Sequence, residues 1–93
     1  MNVLKKNFLS KLNEITNLSK KVNENYKEKF FQMIKEHSIE IEELYKNNDS
    51  HWTVETGDLI VLCFELLISE NIDIDNNFER CLPRFYNKLS INE

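Results

Sequence analysis

A polar stripe on one predicted helix carries the side chains best suited to chemistry. Four polar side chains of a predicted helix over residues 50–70 form this stripe: His51, Glu55, Asp58 and Glu65. At about 100° per residue, they lie within roughly a quarter of the helix circumference. Glu55 and Asp58 are three residues apart and are therefore neighbours on that face. Two carboxylates so placed can jointly hold Mg²⁺, which prefers oxygen ligands. The stripe predicts a cation site, and the alternative is an ordinary solvent-facing stripe on a buried helix.

The preceding predicted helix offers side chains that could face these acids. His37 falls inside the apolar stripe of that helix, Glu40 lies at its edge, and Glu43 projects farther toward solvent. We therefore expect His37 and Glu40 to meet the acids of the next helix across a helix–helix contact. The alternatives are a core histidine with an ordinary hydrogen-bond partner and a solvated acidic face.

Two amphipathic helices are predicted in the first half of the chain, because apolar residues recur at steps of three and four. The first covers residues 3–22, with this stripe: Leu4, Phe8, Leu12, Ile15, Leu18 and Val22. The second covers residues 26–45, with this stripe: Tyr26, Phe30, Ile34, His37, Ile41 and Leu44. A break is predicted at residues 23–25 and a loop at residues 47–50, where side chains compete for backbone hydrogen bonds.

Two more helices are predicted in the second half. The third begins near Ser50 or Thr53, either of which can cap it, and ends near residue 70. It is apolar on most sides, so we expect it to be central, with contacts that extend across a dimer interface. Gly57 costs about 1 kcal/mol inside a helix, which favours a packing or close-approach role. The fourth helix has Asp75 as its predicted N-cap and Pro83 as a kink or division.

Composition limits the fold and function classes. The 93 residues fit one domain, and a single glycine and a single proline argue against a β-sandwich or barrel. A net charge of −4 disfavours nucleic-acid binding. Cys63 and Cys81 form no metal or disulfide pattern and are expected to be buried thiols. With no signal peptide and no apolar run long enough for a membrane, we expect an all-α bundle of about four helices, completed by dimerisation, in the cytoplasm.

The segment Glu55-Thr-Gly-Asp58, followed by an apolar helix, resembles the MazG-like all-α nucleoside triphosphate pyrophosphohydrolases. Those proteins carry ExxE on one helix and ExxD on the next. The resemblance covers residues 25–89, and residues 1–24 form an additional N-terminal helix. The first motif has three registers here: Glu40 with Glu43, His37 with Glu40, or Glu36 with Ile39. Every register that keeps the inward face of the helix loses one acid.

The resemblance implies hydrolysis of a nucleoside triphosphate to the monophosphate and pyrophosphate, with Mg²⁺ as cofactor and Mn²⁺ as the alternative. The implied catalytic residues are Glu40 and Glu55. The implied metal ligands are His37, Glu40, Glu43, Glu55 and Asp58. Arg84 and Lys88 are expected to meet phosphate oxygens, and the alternative is that they only complement the helix dipole in a last turn. Trp52 is expected to stack on the base, and the alternative is a packing residue at a helix start. The alternative, favoured by the missing acid, is a non-catalytic MazG-like or unrelated helical bundle that binds a protein, such as a phage or plasmid accessory, inhibitor or immunity protein.

Overall fold

The structure is a computed structural model that describes residues 5–22 and 25–91. Four α-helices follow one another: α1 (Lys6–Val22), α2 (Tyr26–Lys46), α3 (Trp52–Ser69) and α4 (Ile74–Ile91). These residues contain no β-strand, so the all-α, four-helix prediction is confirmed. The predicted positions of Val3 and Leu4 in the first helix and the predicted break at Asn23-Glu24 lie outside the described residues. None of the four helices is both long and apolar enough to cross a bilayer.

The central helix is α3, as predicted from its nearly all-round apolar surface. It packs most extensively against α2, less against α1 and only at a few positions against α4. The short turn between α2 and α3 makes them neighbours in an αα-hairpin. At the open end of this hairpin, Lys27 Nζ donates a hydrogen bond to Ser69 Oγ at 2.8 Å and pairs with Glu70. The hairpin is the frame that holds the candidate site.

The buried core is small and lies where α1 and α4 meet α3. Leu12, Phe64 and Ile74 are buried there, and four partly buried side chains pack around them: Val61, Leu67, Ile68 and Phe78. The Phe64 and Phe78 rings meet edge to face at 6.0 Å between centroids. On α2, Phe30 is the most buried large side chain, with 1% of its surface exposed.

Sequence periodicity predicts the inward face of α2 well and that of α1 poorly. Phe30 is buried and the rest of the predicted α2 stripe is half-buried. On α1 only Leu12 and Thr16 are buried, whereas Phe8, Leu18 and Val22 are at least half exposed. The reason is that α1 packs mainly against α3, so only one part of its apolar face is covered. The Thr16 hydroxyl tolerates burial because it donates to the Leu12 carbonyl oxygen at 2.9 Å.

The start of α3 is not capped by Ser50 or Thr53, contrary to the prediction. The Asp49 carboxylate accepts a hydrogen bond from the His51 backbone N–H at 2.9 Å. The Thr53 hydroxyl instead donates to the Ser50 carbonyl oxygen at 2.9 Å. The turn residue just before the helix therefore satisfies the leading N–H group, because its carboxylate reaches two residues forward.

The start of α4 also differs from the prediction. Asp73, rather than Asp75, accepts the Asn76 backbone N–H at 3.0 Å and is the N-cap. Asp75 lies in the first turn, where its negative charge suits the helix dipole. Pro83 lies inside α4 and does not divide it, since the helix continues to Ile91.

The two thiols are free, and the prediction that both are buried is wrong for Cys63. Cys63 is exposed and Cys81 is half-buried. Besides Cys63, two apolar side chains of α3 are each 50% exposed, Val54 and Ile60. The other described helices therefore leave part of the apolar surface of α3 uncovered.

Candidate metal centre

Three side chains from two helices converge on one small region. His37 on α2 and Glu55 and Asp58 on α3 each offer a ligand atom within 4.8 Å of the others. The α3 pair comes from neighbouring turns of one helix, and His37 comes from the inward face of the helix packed against it. The juxtaposition that the sequence predicts for these three residues is therefore present.

The His37 ring is held from both sides. Its Nδ1 lies 2.8 Å from the Met33 carbonyl oxygen, and its Nε2 lies 3.3 Å from Glu55 Oε2. Because a carbonyl oxygen can only accept a hydrogen bond, Nδ1 carries a proton in this arrangement. The two side chains are 21% and 14% exposed, so the contact is partly shielded from solvent. His37 is thus a half-buried histidine whose Nε2 is directed at a carboxylate.

A second histidine approaches the same carboxylate from the other side. His51 Nε2 lies 3.4 Å from Glu55 Oε1, and the His51 side chain is 57% exposed. Sequence reasoning placed His51 on the polar stripe without giving it a role. The signal was present, because residues four apart on a helix are neighbours. Glu55 is therefore flanked by the only two histidines of the chain.

An open groove adjoins the cluster. It has a volume of about 430 Å³ and is lined mainly by apolar side chains, with two polar ones: Ile15, Met33, Val61 and Leu62, with His37 and Asp58. The groove lies where α1 meets the α2–α3 hairpin. Apolar walls with a few polar groups are typical of sites that hold small molecules.

The other predicted site residues of α2 lie elsewhere. Glu40 and Glu43 are exposed and surround a shallow depression with Glu36 and Ile39. Glu40 is three residues after His37 and is displaced by about 60° around the helix axis. The close group formed by the described residues therefore contains one histidine and no carboxylate from α2.

The predicted substrate-binding residues are not members of the close group. Arg84 and Lys88 are exposed on α4, where Lys88 Nζ lies 5.9 Å from the centre of the Phe85 ring. Trp52 is half-buried and meets the Tyr45 ring edge to face at 5.4 Å between centroids. None of the three lines the groove beside His37.

The fourth member of the predicted polar stripe, Glu65, belongs to the interior. It is 4% exposed and accepts a hydrogen bond from the Ser19 hydroxyl of α1 at 2.8 Å. Desolvation, and secondarily the charge of Glu65, raises the pKa of Tyr26 above its usual value. Glu65 therefore serves packing between helices, which the stripe alone did not reveal, because its partner lies 46 residues away.

Gly57, between the two acids of α3, faces open space. A Cβ atom built there meets no atom within 4 Å. The expected packing or close-approach role is therefore not fulfilled by any described part of this chain. Comparisons with protein-family models, curated proteins and solved structures found no match to the chain.

Proposed function

We propose that this chain is a MazG-like nucleoside triphosphate pyrophosphohydrolase that uses a divalent cation. The observation that carries the proposal is the convergence of His37, Glu55 and Asp58 between α2 and α3. The neighbouring groove supports it, because apolar walls beside a polar cluster suit a base and its phosphates. The E-x-G-D segment on an apolar helix, the feature that resembles this family, provides two of the three converging side chains.

In the proposed reaction, water adds to the α-phosphorus, the bond from that phosphorus to the α–β bridging oxygen breaks, and pyrophosphate leaves. When bound at His37, Glu55 and Asp58, a divalent cation would supply charge neutralisation at the phosphate oxygens. Glu40, exposed and one turn beyond His37, would accept the proton of the attacking water. The further roles that the resemblance implies, for Glu43 as a ligand and for Arg84, Lys88 and Trp52 as substrate contacts, are not part of this proposal, because none of these residues belongs to the close group or lines the groove.

Pyrophosphate release tests the proposal directly. We expect the purified chain to convert at least one nucleoside triphosphate to the monophosphate and pyrophosphate in the presence of a divalent cation. Incubation with the standard and the oxidised triphosphates, with Mg²⁺ and separately with Mn²⁺, followed by chromatography of the nucleotides, would measure this. EDTA and Asp58→Asn are the negative controls. Formation of the diphosphate and inorganic phosphate, or no product with any nucleotide and cation, would contradict the proposal.

A protein-binding role is the second candidate, and the exposed acidic residues of α2 favour it. Glu36, Glu40 and Glu43 surround the half-exposed Ile39 and take no part in the close cluster. Such a surface suits a basic partner with an apolar contact at its centre. Two results together would support this candidate: no hydrolysis of any nucleotide, and partner binding that is unchanged when Glu55 or Asp58 is substituted.

We also propose that a second copy of the chain covers an exposed apolar stripe on α4. The chain exposes 7477 Å², whereas a compact monomer of 11.2 kDa exposes about 5,700 Å². The excess is comparable to the roughly 1,000–2,500 Å² that each protomer buries in a permanent homodimer. One apolar stripe on the second half of α4 is more than half exposed: Leu82, Phe85, Tyr86 and Leu89.

The proposed homodimer predicts the mass in solution. Light scattering after size-exclusion chromatography should give about twice the 11.2 kDa of one chain. Phe85→Glu should shift the mass to that of a monomer, because it buries a charge in the interface without touching the monomer core. Ile39→Glu is the matched control, since Ile39 is 54% exposed but lies among acidic residues. A wild-type monomer at all concentrations would refute this proposal.

A further inference from the structure

The donor atoms of the candidate centre differ from those of a magnesium site. Mg²⁺ prefers an octahedral shell of oxygen atoms and binds imidazole poorly. The converging group offers one imidazole nitrogen, from His37, and carboxylate oxygens from Glu55 and Asp58. Imidazole nitrogen suits borderline ions such as Zn²⁺, Fe²⁺ and Ni²⁺. The residues present therefore fit a transition-metal ion better than the Mg²⁺ that the family resemblance implies.

The orientation of the His37 ring points the same way. The proton on Nδ1 faces the Met33 carbonyl oxygen at 2.8 Å, so the neutral ring has a lone pair on Nε2. Nε2 lies 3.3 Å from Glu55 Oε2, so a second ring proton would make the contact an ion pair, whereas in the neutral ring the Nε2 lone pair and the carboxylate can bind one metal ion together. A backbone carbonyl on the far ring nitrogen is one of the common outer partners of a metal-bound histidine, with carboxylates and water.

The spacing of the donor atoms is compatible with shared coordination. Two ligands that each bind Zn²⁺ in a tetrahedral site lie about 3.3–3.6 Å apart. The His37 Nε2 to Glu55 Oε2 distance is 3.3 Å, and Asp58 is within 4.8 Å of both side chains. Asp58 is exposed, so the third ligand adjoins solvent and leaves room for a substrate oxygen.

We infer that the cation of this site is a first-row transition-metal ion bound through Nε2 of His37, with oxygens from Glu55 and Asp58, rather than Mg²⁺. The inference rests on the proposed function for the presence of a cation at these residues. His51 is a positioning residue, because its Nε2 contacts Oε1 of Glu55 at 3.4 Å and it stands outside the close group. It holds the carboxylate so that Oε2 faces His37.

The two histidines of the chain make the test specific, because each can be removed separately. Pulsed EPR of the Mn²⁺-loaded protein should show coupling to one imidazole ¹⁴N nucleus. His37→Ala should remove that coupling and His51→Gln should keep it. In parallel, Co²⁺ absorption should persist in a hundredfold excess of Mg²⁺ for the wild type. In His37→Glu, which restores an all-oxygen donor set, the same excess should displace Co²⁺. Circular dichroism checks that each variant is folded.

The outcomes separate this inference from the proposed function. Absence of ¹⁴N coupling, failure of Mn²⁺ and Co²⁺ to bind, or coupling that survives His37→Ala overturns the inference. If pyrophosphate is nevertheless released with Mg²⁺, the proposed function stands without it. Imidazole coupling that depends on His37, in a protein that hydrolyses no nucleotide, supports the inference and removes the proposed function.

Discussion

Glu55→Gln should abolish pyrophosphate release while leaving the fold intact. Glu55 contacts His37 through one oxygen and His51 through the other, and its side chain is 14% exposed. Loss of an outer-shell partner of a metal ligand costs about 10- to 100-fold in affinity or activity. Replacing a direct ligand should cost more than about 100-fold in kcat/KM, and the rise in melting temperature caused by the cation should vanish.

The matched control for this prediction is Glu14→Gln on α1. Glu14 is also a helical glutamate with a basic partner, Lys11 at 3.5 Å, but its side chain is 70% exposed. We expect Glu14→Gln to have the same activity and the same cation-dependent rise in melting temperature as the wild type. Full activity in Glu55→Gln would show that the carboxylate only pairs with the histidines, and the proposed hydrolysis would lose its central residue.

The largest loss of stability is expected from Phe30→Ala. Phe30 is 1% exposed and meets the Tyr26 ring edge to face at 4.5 Å between centroids. Removing a buried phenylalanine costs about 3–5 kcal/mol of unfolding free energy. Since small domains are stable by roughly 5–15 kcal/mol in total, this change should bring the protein close to unfolding at room temperature. Urea denaturation followed by circular dichroism measures the effect.

The adjacent phenylalanine provides the control for that experiment. Phe31 is 61% exposed, so Phe31→Ala should change the unfolding free energy by less than about 0.5 kcal/mol. The two variants remove the same side chain from neighbouring positions of one helix and differ chiefly in burial. Equal losses in both would mean that the burial assigned to α2 is wrong, or that an associated copy covers Phe31.

The sequence predicts the helices well because apolar periodicity reports which face of a helix is turned inward. It predicts the α2 stripe around Phe30 and the central place of α3. It fails where burial depends on what the rest of the chain provides. The α1 stripe is only partly covered, since no described helix other than α3 packs extensively against it. The sequence did not single out Asp49 and Asp73 as the residues that accept backbone N–H groups at the helix starts. Each lies in a loop that contains several side chains able to do so, and sequence alone does not choose among them.

The candidate centre was partly predictable for the same reason. Helical projection places His37 inward and Glu55 next to Asp58, and these three converge. Projection alone cannot tell a stripe residue that faces a neighbouring helix from one that faces a cleft. Glu65 was therefore grouped with the chemistry although it is buried against Ser19. Glu40 lies about 60° from His37 around the helix axis, and hydrophobic periodicity does not define the inward face of a helix to within that angle.

The few contacts between α3 and α4 leave the last helix weakly attached to the rest of the chain. Local opening of a weakly attached helix requires little free energy, so in an isolated chain its amide hydrogens exchange long before those of the hairpin. If a second copy covers the α4 stripe, association stabilises the closed position of α4, so the opened fraction falls as protein concentration rises. The number of residues that unfold together as one cooperative unit would then differ between dilute and concentrated solutions.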